Sequence, residues 1–237
     1  MSIDCVFFDA AGTLIEANPS VRTVYADVLR GRGYEVEEAE IGERFRHAWA
    51  GLREKTRSEP PYGTTEAEAR QWWRRVVEAT YERWDLGGRL DAVFEELWEH
   101  FARPEAWRVY PDVEPCFAQL RAESVGLGLI SNWDVRLHDV LQGLGLWDLF
   151  DEAVISCDVG AEKPDRAIFR AALDRAQLSP EGALHVGDSR EADLEGALNA
   201  GMSALLLQRD AGSDKADGEA IIHRLTEIPN RVSPDIS

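Results

Sequence analysis

The segment IDCVFFDAAGT, residues 3–13, is a short apolar run that ends abruptly in polar and small residues. Its first part, 3–8, is rich in aromatic and β-branched side chains, which favours a buried β-strand. Asp9 and Gly12 follow at once and are typical of a tight loop after a strand. The segment therefore predicts a core strand near the start of the chain, with a carboxylate at the strand's carboxyl end.

Four more apolar runs lie in the second half of the chain, and helical segments separate them. The runs are VGLGLI at 125–130, EAVIS at 152–156, ALHV at 183–186 and SALLL at 203–207. Helices are expected near 112–123, 135–144, 165–177 and 190–200. Strands and helices that alternate in this way are typical of βαβ units. We therefore predict an α/β fold with a Rossmann-like, doubly wound parallel sheet of at least five strands, covered by helices on both faces.

The region between the first strand and these units has a different pattern. Apolar residues recur there at helical spacing, and four helices are expected near 20–32, 38–56, 65–84 and 90–102. We therefore predict a Rossmann-like catalytic core made of 1–16 and 104–237, with an all-helical cap domain, 17–103, inserted into it. Five of the eight tryptophans fall in this insert, where they are expected to form its own core.

Charge and composition exclude several classes of function. With 44 acidic and 26 basic residues, the formal net charge is −18, which opposes binding to nucleic acid or to an anionic membrane. The three cysteines, Cys5, Cys116 and Cys157, are widely spaced and indicate neither a disulfide framework nor a zinc cluster. No apolar run approaches the roughly 20 residues of a transmembrane helix. We expect a soluble, cytoplasmic protein that acts on a small molecule.

Polar side chains follow the apolar runs, at the points where the predicted strands end. Those at the end of a run or next to it are Asp9, Ser131, Asn132 and Asp188. Lys163 closes the loop after the run at 152–156, and Asp193 follows Asp188. Because ligands bind beyond the carboxyl ends of parallel strands, these side chains are expected to form one site. Taken singly, each has a simpler explanation as a turn residue, a helix cap or a solvated charge. Together, at four strand ends, they indicate chemistry.

Carboxylates, a hydroxyl and an ammonium group form a set suited to phosphoryl transfer. Asp9 is the candidate nucleophile, because a carboxylate can form an aspartyl-phosphate. Carboxylates that face a phosphate dianion require a divalent cation, and Mg²⁺ suits oxygen ligands. Lys163 and the Ser131 hydroxyl would bind the phosphoryl oxygens, and backbone N–H groups nearby would add donors. The residues expected to contact a phosphorylated substrate in this way are Gly12, Thr13 and Asn132.

Four segments carry a resemblance to a known family. FFDAAGTL at 7–14, LISN at 129–132, EKPD at 162–165 and HVGDSREADLEGALNAGM at 185–202 resemble the four ordered motifs of the haloacid dehalogenase-like (HAD) hydrolase superfamily. The helical insert is similar to that superfamily's helical cap, and QWW at 71–73 is similar to one subgroup that has such a cap. The match spans nearly the whole chain.

The resemblance implies a role for each matching residue. Asp9 would be the nucleophile, and Ser131 and Lys163 would stabilise the phosphoryl group and its charge. The residues implied to hold or support Mg²⁺ are Asp9, Asp188, Asp193 and, through its backbone carbonyl, Ala11. His185 has no such role and is expected to be a buried core residue rather than a catalyst.

Ala11 departs from the pattern of the superfamily, which usually has a second aspartate here as general acid and base. General acid–base help is worth roughly 10²–10⁴-fold in rate. Without it, a leaving alkoxide would depart unprotonated and the attacking water would lack its base. The sequence therefore predicts a weak phosphatase that prefers activated leaving groups.

Three other functions fit parts of the pattern. A metal-free 2-haloacid dehalogenase also lacks the second aspartate, because halide leaves without a proton, but Asp188 and Asp193 favour the magnesium-dependent branch. A phosphonoacetaldehyde hydrolase-like enzyme carries alanine at position 11 but needs a cap lysine, for which Lys55 is the only candidate. A non-catalytic module that binds a phosphorylated ligand would also have lost the acid–base residue.

Overall fold

The computed structural model describes residues 3–55, 65–209 and 220–232, apart from the side chains of residues 54 and 55. The chain divides into two compact units. The core unit consists of Met1–Glu16, Val109–Trp133 and Gly145–Ser237, and the helical unit consists of Ala17–Arg108 and Asp134–Leu144. The helical unit thus runs past the predicted insert, 17–103, and includes a second, separate segment.

The described residues contain eight strands. In chain order they are β1 (Cys5–Phe8), β2 (Ile15–Ala17), β3 (Trp107–Val109), β4 (Gly126–Ser131), β5 (Glu152–Ile155), β6 (Ala183–Gly187), β7 (Ser203–Leu207) and β8 (Ile221–Ile222). Six of them form one parallel sheet in the order β5-β4-β1-β6-β7-β8, and β2 pairs with β3 in a second sheet. The prediction of a Rossmann-like parallel sheet is confirmed.

Ten α-helices accompany these strands in the described residues. In chain order they are α1 (Val21–Arg30), α2 (Glu38–Lys55), α3 (Glu66–Tyr81), α4 (Leu90–His100), α5 (Val113–Ala122), α6 (Arg136–Gly143), α7 (Ser156–Val159), α8 (Arg166–Ala176), α9 (Gly196–Asn199) and α10 (Pro229–Val232). In this part of the chain, no helix combines the length and the apolar character that a membrane crossing needs.

The two phenylalanines of β1 show how the sheet is covered. Successive side chains of a strand point to opposite faces. Phe7 packs in an apolar cluster with Ile168 and Phe169 of α8, whereas the Phe8 ring lies 5.1 Å from that of Phe117 in α5. Helices therefore pack on both faces of the sheet, and β1 is buried between them.

The helical unit has an apolar core of its own. Tyr25 and Tyr81 belong to it, and the Tyr81 hydroxyl donates to the Tyr25 carbonyl at 2.8 Å. Trp72 is buried and Trp73 is half-buried, and both rings lie against Trp49. These tryptophans therefore pack within the helical unit, as the sequence predicts.

Arg136 explains why the segment around α6 belongs to the helical unit. Its guanidinium donates two hydrogen bonds of 2.7 Å to the buried Asp134 carboxylate and a third, of 3.1 Å, to the Trp98 carbonyl. It also lies 3.4 Å from the centroid of the Trp98 ring. A bidentate pair and a cation–π contact together fix this segment against α4.

Some local structure is not predicted by the sequence. The strands β2, β3 and β8 have only two or three residues each, too few to produce a periodic pattern. The expected helix at 190–200 begins with a π-helical turn, Arg190–Glu195, in which the Leu194 N–H donates to the Ser189 carbonyl at 3.2 Å. Such turns are frequent at functional sites.

Candidate active site

Three adjacent parallel strands bring the candidate residues to one edge of the sheet. β1 lies between β4 and β6. Asp9 follows β1, Ser131 is the last residue of β4, and Asp188 follows β6. Because the strands run in the same direction, the three side chains emerge at the same edge, as the strand-end argument predicts.

Asp9 is buried, and its two carboxylate oxygens have different surroundings. Oδ1 accepts hydrogen bonds from the Ser131 hydroxyl at 2.9 Å and from the Lys163 ammonium at 2.7 Å. None of the residues that the structure describes donates to Oδ2. Burial raises the pKa of Asp9, and the positive charge of Lys163 opposes that rise. One oxygen is thus anchored, while the other has no donor in this part of the chain.

Lys163 is the buried cation of the site. An ammonium group has three donors. Its Nζ donates to Asp9 Oδ1 at 2.7 Å, to the Ile130 carbonyl at 2.8 Å and to Asp193 Oδ1 at 2.6 Å. Burial by itself lowers the pKa of Lys163, but the Asp193 and Asp9 carboxylates outweigh burial and raise it above the ordinary value. The ammonium therefore stays charged, with all three donors engaged.

Asn132 positions Lys163 from the neighbouring strand end. Its side-chain nitrogen donates to the Lys163 carbonyl at 2.8 Å, and its side-chain oxygen accepts from the Lys163 N–H at 2.7 Å. From the sequence, Asn132 is expected to contact substrate. That contact is expected through a backbone N–H and stays a prediction, while the side-chain amide is paired with the backbone of Lys163.

Asp193 is buried behind Lys163 and is held by several donors. Besides Lys163, His185 Nε2 lies 2.9 Å from Oδ1, and the Ser189 N–H donates to Oδ2 at 2.9 Å. Burial lowers the pKa of His185, so the ring is neutral and Nε2 is the nitrogen that donates. Burial would raise the pKa of Asp193, but Lys163 and the His185 hydrogen bond hold it below its ordinary value.

Asp188 completes a group of three carboxylates. Asp9, Asp188 and Asp193 each place an oxygen within 4.8 Å of the others. Burial and the charges of Asp9 and Asp193 raise the pKa of Asp188 to about 7. Like charges this close repel unless a cation or a proton compensates them. The group therefore has the donor chemistry that a hard divalent cation prefers.

The loop after Asp9 is a tight turn in which one carbonyl accepts hydrogen bonds from several N–H groups. The N–H groups of Thr13, Leu14 and Ile15 all approach the Ala10 carbonyl, at distances of 3.3, 2.8 and 3.0 Å. Ala11 is half-buried in this turn and carries a methyl group where the superfamily usually has a carboxylate. The hydrogen bonds of this turn are made by backbone groups and involve no side chain at position 11.

Gly12 and Thr13 shape this loop in ways that the sequence does not predict. The Gly12 N–H donates to the Ile15 carbonyl at 2.8 Å, and substrate contact by this loop stays a prediction. Gly12 has a φ of +81°, and a Cβ there would overlap the Asp188 carboxylate. Thr13 is fully buried, and its hydroxyl has no hydrogen-bond partner within the described ranges.

Arg209 reaches the same loop but is absent from the residues predicted from the sequence. It follows β7, and its guanidinium donates to the Thr13 carbonyl at 2.6 Å and to the Gly12 carbonyl at 3.3 Å. Inspection of the fifth apolar run would have found it, because Arg209 comes two residues after that run ends at Leu207.

Comparison with known proteins assigns the chain to a family. The family model for haloacid dehalogenase-like hydrolases matches residues 3–201. The chain belongs to the haloacid dehalogenase-like hydrolase family. A mouse (Mus musculus) HAD family protein, haloacid dehalogenase-like hydrolase domain-containing protein 3, is 38% identical over 216 residues, which cover 89% of this chain and 82% of that protein. The resemblance of the four motifs and of the QWW segment is confirmed.

Two solved structures of HAD proteins share the architecture. A HAD phosphatase from Thermococcus onnurineus is 27% identical with a TM-score of 0.67, and the match covers 97% of this chain and 98% of that one. A 2-haloacid dehalogenase from Pseudomonas syringae pv. Tomato DC3000 is 28% identical with a TM-score of 0.62, over 96% and 97% of the two chains. Similar HAD structures thus include a phosphatase and a dehalogenase.

Proposed function

We propose that the chain is a Mg²⁺-dependent phosphatase that forms an aspartyl-phosphate on Asp9. The observation that carries this proposal is the asymmetric environment of the Asp9 carboxylate. Ser131 and Lys163 hold Oδ1, while none of the described residues donates to Oδ2. A carboxylate nucleophile needs one oxygen that is fixed and one that can attack. Lys163 adds the positive charge that an anionic substrate requires.

The acidic residues beside Asp9 fit a magnesium ion. Three carboxylates in one small volume form an all-oxygen donor set, and after burial the charges of Asp9 and Asp193 contribute to the raised pKa of Asp188. We propose Asp9, Asp188 and the Ala11 carbonyl as ligands. Asp193 would support the site, because hydrogen bonds already engage both of its oxygens. When bound, Mg²⁺ would screen the phosphate from the carboxylates and polarise the phosphoryl oxygens.

The residues of the chain define two chemical steps. In the first, Asp9 Oδ2 forms a bond to phosphorus, and the bond to the leaving oxygen breaks with its electron pair on that oxygen. In the second, the water oxygen forms a bond to phosphorus and the bond from phosphorus to Asp9 Oδ2 breaks. Inorganic phosphate leaves with both water protons, and the Asp9 carboxylate is free again. All three Lys163 donors are engaged in the free site, so Lys163 acts first by orienting Asp9 Oδ1 and compensating charge.

Ala11 limits the range of leaving groups. Acyl phosphates and aryl phosphates expel stable anions, whereas an alkyl phosphate needs a proton donor for its alkoxide. We expect Ala11→Asp to raise the turnover of an alkyl phosphate by roughly 10²–10⁴-fold, because a carboxyl group can donate and accept that proton. Ala11→Asn is the matched control, since it has the same shape but cannot transfer the proton. Equal turnover in the two variants would contradict this account of Ala11.

The experiment that tests the proposal is a panel of acyl, aryl and alkyl phosphates assayed with and without Mg²⁺. Wild type should hydrolyse the acyl and aryl compounds only when Mg²⁺ is present. Asp9→Asn should be inactive on every compound while it keeps the wild-type circular dichroism spectrum. Activity that survives in Asp9→Asn, or in excess EDTA, would contradict the proposed mechanism.

Dehalogenation is the second candidate, favoured by the similarity to a 2-haloacid dehalogenase and by the absence of a carboxylate at Ala11. The position of Asp188 beside Asp9 opposes it, because an anionic haloacid would meet uncompensated negative charge. Halide release from a 2-chloro acid in excess EDTA would support dehalogenation and exclude the magnesium-dependent mechanism.

Direct tests distinguish a phosphatase from the two remaining alternatives, which are a phosphonoacetaldehyde hydrolase-like enzyme and a non-catalytic binding module. The hydrolase would need Lys55, whose side chain lies outside the described part of the structure. Borohydride trapping with phosphonoacetaldehyde tests whether Lys55 forms a Schiff base. A binding module would hold a phosphorylated ligand without releasing phosphate. A small-molecule substrate and a cytoplasmic location stay predictions from the sequence.

A further inference from the structure

We infer that Arg209 is a positioning residue that fixes the loop carrying the nucleophile and the Ala11 carbonyl. Its planar guanidinium donates to two consecutive backbone carbonyls, those of Gly12 and Thr13, at 3.3 and 2.6 Å. A fork of this kind holds two peptide planes at once, which a single hydrogen bond cannot do. The inference rests on the proposed function, because it assigns Arg209 to the same loop.

Arg209 is itself held in place by groups of the core unit. Its Nη1 donates to Asp112 Oδ2 at 3.0 Å, and its guanidinium lies 3.7 Å from the centroid of the Tyr110 ring. Asp112 Oδ2 also accepts the Leu225 N–H at 2.9 Å. Both charged side chains are largely buried, with 18% and 13% of their surfaces exposed. A charged pair buried to this extent in a stacked arrangement has little freedom to move.

Hydrogen bonds fix three consecutive peptide groups in this loop, and Arg209 makes those of the second and third. The Ala11–Gly12 peptide is fixed by the Gly12 N–H, which donates to the Ile15 carbonyl. The next two peptides are fixed by Arg209 through their carbonyl groups. Gly12 lies in the left-handed region at φ +81° and directly beside the Asp188 carboxylate, so a change in its peptide plane alters the backbone that packs against that carboxylate. Arg209 thus acts on Asp9 and Asp188 through the backbone between them.

The test compares Arg209→Met and Arg209→Lys with the matched control Arg121→Met. Arg121 is also a guanidinium of the core unit that binds a carboxylate, Asp151, and a backbone carbonyl, that of Leu149. Three quantities are measured: the affinity for Mg²⁺ by titration calorimetry, kcat and KM for acetyl phosphate, and amide hydrogen exchange in the peptide spanning residues 9–16.

Arg209→Met should weaken Mg²⁺ binding and lower kcat by about 10–100-fold, the usual loss for a partner that orients a metal site. KM for acetyl phosphate should change little, because the Arg209 guanidinium is engaged by two backbone carbonyls and the Asp112 carboxylate. Arg209→Lys, which keeps the charge but lacks the planar fork of donors, should recover part of the loss. Exchange in residues 9–16 should accelerate in Arg209→Met and not in Arg121→Met.

Wild-type values of all three quantities in a folded Arg209→Met protein would overturn the inference. If Arg209→Met does not fold, the same result in Arg209→Lys would overturn it. If wild type hydrolyses no phosphate compound, the proposed function is refuted. Mg²⁺ affinity and hydrogen exchange then still test whether Arg209 positions the loop. If wild type also binds no Mg²⁺, exchange alone decides: unchanged exchange overturns the inference and faster exchange supports it.

Discussion

Lys163 is the shared ammonium partner of two buried carboxylates, Asp9 and Asp193. Removal of one partner from a buried ion pair leaves an uncompensated charge, which costs about 3–5 kcal/mol. We therefore expect Lys163→Met to lower the free energy of unfolding by about that amount in urea denaturation at neutral pH. Arg121→Met, which removes an exposed partner, should cost about 1 kcal/mol or less. Equal losses in the two variants would contradict this role of Lys163.

Asp188 makes stability depend on pH in the absence of a metal. Burial and the neighbouring Asp9 and Asp193 carboxylates raise its pKa to about 7, above the ordinary value of 3.8. Between pH 3.8 and about 7 the folded state binds more protons at Asp188 than the unfolded state does. The contribution of Asp188 to the free energy of unfolding therefore decreases as the pH rises through 7. The negative charge of Asp188 thus opposes folding at alkaline pH.

We therefore expect Asp188→Asn to stabilise the metal-free protein more at about pH 8 than at about pH 5, because the amide removes the charge that opposes folding. Addition of Mg²⁺ should then stabilise wild type and leave Asp188→Asn nearly unchanged. Thermal unfolding of both proteins, in EDTA and in Mg²⁺, measures these differences. A stabilisation by Asp188→Asn that is independent of pH would contradict the raised pKa.

The residues of the site differ in how well the sequence predicts them. Asp9, Ser131 and Asp188 follow apolar runs directly, so their positions at one edge of the sheet come from the strand-end rule alone. Lys163 lies further along the chain, in the loop after β5 and α7. The hydrogen bond between His185 and Asp193 has no such signal. His185 lies inside β6, and its contact with the π-helical turn depends on how that turn packs.

At the scale of elements, the end of β6 and the turn that follows it are built around a close contact. The backbone of Gly187 packs directly against the Asp193 side chain, and a Cβ at Gly187 would overlap Asp193 Cγ. The Ser189 N–H donates to the Asp193 side chain, and the Asp193 N–H donates to the Ser189 carbonyl. Glycine is thus required at position 187 by the space that Asp193 occupies.

We expect Gly187→Ala to lower the free energy of unfolding by about 1–3 kcal/mol, the usual cost of overpacking, and to reduce kcat, because Asp193 must move. Gly51→Ala is the control, since among the residues described no atom outside α2 approaches a Cβ there, and alanine favours a helix by about 0.5–1 kcal/mol. Urea denaturation and the acetyl phosphate assay check both variants. Wild-type stability in Gly187→Ala would show that the turn adapts to the added methyl group.

The elements that the sequence predicts well are those with several turns or a long apolar run. The helices of the insert and the five longer strands of the sheet have such patterns, and they form close to the predicted positions. The pairing of β2 with β3 and of β7 with β8 is a property of tertiary structure rather than of local sequence, because at least one partner in each pair is very short. Tertiary contacts also decide the place of α6, which joins the helical unit through Arg136.

At the scale of the whole molecule, the net charge of −18 sets the conditions under which the site can bind an anion. The long-range field of the chain repels phosphate compounds, so positive charge must be supplied locally. Lys163 supplies one such charge, and Arg209 lies beside the loop that carries Asp9. A divalent cation in the carboxylate group would supply the rest, which is why the proposed activity depends on Mg²⁺.

The most direct measurement for the central claim is the mass of the intact protein after brief reaction with acetyl phosphate and Mg²⁺ and rapid acid quench. The account predicts a fraction of wild-type protein that is heavier by one phosphoryl group, with the modification on the peptide that contains Asp9. Asp9→Asn should show no such species. Absence of the adduct from wild type while phosphate is released, or an equal adduct in Asp9→Asn, would contradict the aspartyl-phosphate mechanism.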